Sequence, residues 1–111
     1  MIQTSSQLTL QNIEADKYAQ LFSKGPHIYN SVAFNELNRH KVEQLHYLVM
    51  ADTKVRFGII AGQRGNILLS PFSAPFGGFN TNSIQRLEAM ETASSLLKTY
   101  ATERGLQAHI T

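Results

Sequence analysis

The stretch from Val42 to Met50 most constrains the fold of this chain. Read as a strand, it puts Leu45, Tyr47 and Val49 on one face and His46, Leu48 and Met50 on the other. Both faces are largely apolar, so the strand predicts a sheet covered on two sides rather than one side facing water. Asp52-Thr53 then predicts a turn. A second strand runs from Val55 to Ala61, with Val55, Phe57 and Ile59 on one face. Gly62-Gln63-Arg64-Gly65-Asn66 predicts another turn, because glycine supplies positive φ. Ile67 to Ser70 opens a third strand. Connections this short make an antiparallel meander.

Helices bracket the meander. Leu8-Thr9-Leu10 reads as a short first strand. A helix over Ile13–Ser23 follows, with Tyr18, Leu21 and Phe22 on one side and Glu14 and Asp16 near its positive end. Lys24-Gly25-Pro26 stops it. A shorter helix from Ser31 to about Arg39 offers Val32, Phe34 and Leu37 as apolar contacts. After the meander, Ser83–Arg104 reads as the longest helix. Asn82 and Gln85 form its capping box, and Leu87, Met90, Ala93, Leu97 and Tyr100 form its core stripe. Gly105 ends it. Leu106–Thr111 alternates as a last strand, with Leu106, Ala108 and Ile110 on one face. The fold class is therefore α+β (mixed α/β), in the order β-α-α-β-β-β-α-β, with an antiparallel meander and one parallel crossover strand. The 111 residues form a single domain.

Composition narrows the function classes. The ten Lys and Arg residues are spread along the chain mostly as singles, with a net charge of +2, and give no basic run of the kind that binds nucleic acid. The absence of cysteine excludes disulfides, thiolate zinc sites and a Cys nucleophile. His27, His40, His46 and His109 lack the spacing of a helical zinc pair, so no metal is expected. The first six residues lack a signal-peptide pattern, and no apolar run reaches the roughly 20 residues that span a bilayer. The expected location is the cytoplasm, with no membrane partner.

Pro71-Phe72-Ser73-Ala74-Pro75-Phe76-Gly77-Gly78-Phe79 interrupts the regular pattern, since two prolines and two glycines rule out a continuous ladder. It is the candidate binding segment. Gly77 and Gly78 either admit a ligand to the backbone or make a bend. Asn80, Thr81 and Asn82 offer donors at the helix start, or Asn82 caps it. Phe76 and Phe79, with Phe72, line a pocket mouth or anchor the core. Ser73 bonds a substrate or holds its own loop. Tyr29, Tyr47 and Tyr100 read as core residues with a solvated hydroxyl. Glu36 and Glu43 are either solvated or general bases for an amine. The histidines read as structural or surface groups.

Asn30-Ser31-Val32-Ala33-Phe34-Asn35-Glu36-Leu37-Asn38, His46-Tyr47-Leu48, Phe57-Gly58-Ile59-Ile60 and the Ser70–Phe79 run resemble GNAT-like and FemAB-like acyl-CoA N-acyltransferases of the Bacteroidetes type. The resemblance covers about residues 30–111, and the element order is similar to the first two-thirds of the GNAT fold. It implies that this chain is the amino-terminal part of a longer protein and that its other partner is the remainder of its own chain. It also implies transfer of an acyl or aminoacyl group to a small-molecule or peptide amine.

In such folds a splayed strand frees a backbone N–H to polarise the thioester, and the loop into the next helix holds the coenzyme A pyrophosphate. Here that loop is Pro75–Asn82, and it departs from the family's Gln/Arg-x-x-Gly-x-Gly/Ala pattern. Its glycines are adjacent and no basic residue flanks them. Acyl-CoA is therefore expected to bind elsewhere in the longer protein, and this part to shape the acceptor cleft and be inactive alone. The alternative is a non-catalytic α/β sensor or dimerisation module, roadblock-like or profilin-like. The last strand reads as an unfinished edge, which offers a homodimer a place to pair.

Overall fold

The computed structural model describes residues 8–22, 31–70, 79–81 and 87–110. The Gly25-Pro26 stop, His27, Tyr29 and the Asn82/Gln85 capping box lie outside them. Five strands form one sheet in the order β1-β2-β3-β4-β5: β1 (Thr9–Asn12), β2 (Gln44–Ala51), β3 (Val55–Arg64), β4 (Ile67–Ser70) and β5 (Gln107–Ile110). Neighbours are antiparallel except β4 and β5, which run parallel. Helices α1 (Ala15–Leu21) and α2 (Val32–Leu37) precede β2, and α3 (Leu87–Glu103) connects β4 to β5. The chain is thus a mixed α+β fold with an antiparallel meander and a parallel crossover strand.

Both faces of β2 are buried. Leu48 and Met50 pack with Phe57, Ile59, Ala61 and Leu68 against Ala93, Leu97, Tyr100 and Ala101 of α3. Leu45, Tyr47 and Val49 pack with Ile60 against Tyr18 and Phe22 at α1. Side chains of this size each contribute about 1.5–3 kcal/mol when fully buried, so two covered faces make this small sheet stable. Two helix ends are chemically closed. The Ser31 hydroxyl accepts from Phe34 N at 3.2 Å to start α2. Gly105 takes φ 70°, and Leu106 N reaches Ala101 O at 2.8 Å to end α3.

Several expectations are corrected. Val55 lies on the α1 side, away from Phe57, because Met50 pairs with Phe57 but Ala51 pairs with Val55. Arg56 is the extra residue of a β-bulge, and one extra residue switches the face. Strand β3 continues through Gly62, Gln63 and Arg64, so the turn shrinks to Gly65-Asn66. Only Gly65 has positive φ there, the pattern of a type II′ hairpin. Met90 is 43% exposed and Leu37 76% exposed, so neither is a core contact, and Leu21 is also exposed. Ala89, Leu96 and Ala101 fill the α3 face instead. The second helix breaks at Leu37, followed by a 3-10 turn over Arg39–Lys41.

Gly58 is needed for close approach. A Cβ there would lie 2.6 Å from Phe22 Cζ and 2.7 Å from the Tyr18 hydroxyl. Gly58→Ala should therefore destabilise the fold by about 1–3 kcal/mol, read from urea unfolding midpoints. An unchanged midpoint would show that α1 does not pack this tightly on β3.

Candidate functional site

The sequence-predicted segment meets the sheet at Asn80. Strand β4 pairs with β3 through Gly62 and Leu69 and is described only as far as Ser70. Continued without a break, that register would set Gly58 opposite position 73. Gly58 faces Asn80 instead, seven positions further along the chain. Gly58 N donates to Asn80 O at 2.8 Å, and Asn80 N donates to Gly58 O at 2.6 Å. The same register would set Ile60 opposite position 71, which is proline and has no N–H. The Ser70 hydroxyl supplies a donor to the Ile60 carbonyl at 2.8 Å. Pro71 has no N–H with which to continue this ladder opposite Ile60.

Of the candidate residues, Ser73, Phe76, Gly77 and Gly78 lie outside the described residues. Phe79 packs edge-on against Phe57, with ring centroids 5.7 Å apart. Asn80 is buried, and its side-chain amide donates to the Tyr18 hydroxyl at 2.7 Å. Thr81 is exposed beside it. Burial drives the Tyr18 phenol well above its usual range, against the pull of Asn80, so it serves as a neutral hydrogen-bonding group.

Two further polar groups lie on the sheet. On the α1 side, Tyr47 donates its hydroxyl to Glu36, which also holds Arg39 at 2.8 Å. Arg39, chiefly by its hydrogen bond, keeps the Glu36 carboxyl below its usual range, so Glu36 is a poor base. Glu43 accepts from Gly65 N at 2.9 Å and braces the hairpin. On the α3 side, His46 lies between the Tyr100 hydroxyl at 2.7 Å and Gln63 Oε1 at 3.0 Å. Asn12 Nδ2 donates to the same hydroxyl at 3.1 Å. The Tyr47 and Tyr100 hydroxyls, expected to be solvated, are both held by protein groups.

Beside this second network lies an open cleft of about 360 Å³ between β1 and α3, with Leu8, Leu10, Leu96, Thr99 and Arg104 among its lining residues. Among the described residues, no group of three or more His, Asp or Glu side chains could hold a metal ion. No described helix is long and apolar enough to cross a membrane.

Sequence reasoning missed Asn12, Tyr18 and Gln63 as polar partners. Strand parity carried a signal, since His46 shares its face with Leu48 and Met50 and a polar group among them calls for partners.

Asn80→Ala should cost about 1–3 kcal/mol, because it leaves the buried Tyr18 hydroxyl without its donor. Adding Tyr18→Phe should recover part of that loss in a double-mutant cycle of thermal unfolding. Strict additivity of the two changes would show that the pair is not coupled.

Comparison with family models, with curated proteins and with solved structures finds no match to this chain.

Proposed function

We propose that this chain is the acceptor-binding, amino-terminal part of a cytoplasmic N-acyltransferase of the GNAT or FemAB kind. It shapes a cleft for a small-molecule or peptide amine and does not transfer acyl groups alone. The observation that carries this reading is a shift of register along β3. Beside a parallel β4–β5 pair bridged by α3, β3 pairs with Leu69 at Gly62 but with Asn80 at Gly58, seven positions out of step with that register. That shift brings the candidate segment onto the sheet at the approach to α3, which supports an acceptor cleft there.

The division of labour rests on charge. Residues 75–82 carry no Lys or Arg to hold a pyrophosphate, so acyl-CoA belongs to the remainder of the protein. The amine is taken near Thr81, the exposed residue beside the Gly58–Asn80 bridge.

Acetyl-CoA titrated into this chain should give no measurable heat. Binding in the micromolar range would move the cofactor into this chain and remove the proposed division. For the protein that carries this chain, an amine that speeds thiol release from acyl-CoA should slow hydrogen exchange at residues 79–81. Protection confined to other segments would sink the acceptor assignment.

A further inference from the structure

Where the last turns of α3 cross β1, β2 and β3, polar side chains replace the apolar core, and their protons can be assigned one by one. Gln63 Oε1 only accepts, so His46 Nε2 carries a hydrogen and donates to it. His46 Nδ1 is then bare and accepts from the Tyr100 hydroxyl. The Tyr100 oxygen in turn accepts from Asn12, whose side-chain oxygen accepts from Tyr47 N at 3.2 Å. The arrangement is complete only with a neutral imidazole.

A second proton on His46 breaks it. Nδ1–H would point at the Tyr100 oxygen, and the phenolic hydrogen would have to turn away. The neighbours on that side are Asn12, which already donates to this oxygen, and Arg104, whose guanidinium lies 3.6 Å from the Tyr100 ring centre. Gln63 on β3 and Asn12 on β1 are uncharged. Glu103 contacts Arg104 at 4.0 Å, and no carboxylate of a described residue is hydrogen-bonded to the imidazole. A charged His46, only 3% exposed, would thus be buried without a counterion. Burial first, and Arg104 after it, hold the imidazole below its ordinary pKa, against the hydrogen bond it donates to Gln63.

We propose that His46 is an acid-operated latch: neutral, it ties the C-terminal end of α3 to β1, β2 and β3, and in mild acid its protonation frees α3 and β1 and widens the cleft between them. That cleft presents Leu8, Leu10 and Leu96, so mild acid exposes apolar surface at one end of the molecule.

The sign follows from the depressed pKa. The open state binds the proton more readily, so closure is fully favoured above the ordinary histidine value of about 6.5 and is lost as pH falls through the native value. Hydrogen exchange, corrected for its intrinsic pH dependence, reads the opening. Between pH 7.5 and 5.0 residues 9–12 and 96–104 should open more, by up to ~30-fold, while the β2–β3 ladder changes little. His46→Gln should flatten the response. A uniform rise across the sheet, an unchanged response in His46→Gln, or no rise would overturn the latch. Should His46→Gln fail to fold, side-chain nitrogen NMR on the unaltered chain decides. Titration well below the ordinary value supports the latch, and titration at that value overturns it.

Discussion

The long β2–β3 ladder sets the terms for everything else in this molecule. Its residues are apolar on both faces, so neither face is stable in water, and a helical layer must cover each one. Tyr18 and Phe22 close one face and Ala93, Leu97 and Tyr100 the other. The single crossover through α3 then makes β5 parallel to β4, because a chain that crosses a sheet through a helix returns in the same direction. Gly58, at the centre of β3, has no side chain because the α1 aromatic residues occupy that space.

Polar chemistry enters on both covered faces of this frame. A neutral hydrogen bond stabilises by only about 1 kcal/mol net, less than a well-packed leucine, while an unmet buried polar group costs about 1–3 kcal/mol. The Gln63–His46–Tyr100–Asn12 series therefore adds little stability over an apolar core. Its effect is specificity, since it fixes how α3 sits over three strands and makes the seat sensitive to one proton. The Tyr18–Asn80 pair does the same on the opposite side, where it pins the returning chain to α1.

Much of the architecture was legible from periodicity. The faces of β2, the helix-strand order and the end of α3 at Gly105 all follow from side-chain alternation, helical spacing and the backbone freedom of glycine. What escaped was whatever depends on a single residue of register or on a distant partner. Val55 changed sides because Arg56 bulges, and no local pattern marks a bulge. Leu37 and Met90 carry the right chemistry for a core, but the fold leaves both facing solvent. Within the candidate segment, Phe79 and Asn80 were visible as residues of interest. That Asn80 turns inward to Tyr18, 62 positions away, was not, because tertiary hydrogen bonds leave no periodic trace.

The shift of register along β3 has a further consequence. A residue added to or removed from an ordinary strand shifts its pairing and sends every later side chain to the wrong face. Here β3 pairs with Leu69 at Gly62 and with Asn80 at Gly58, seven positions beyond the continuous register. Seven extra positions would reverse the face in an unbroken strand, yet Asn80 lies on the α1 side, as Leu69 does. The fold thus takes in the extra length while the residues of β3 keep their faces.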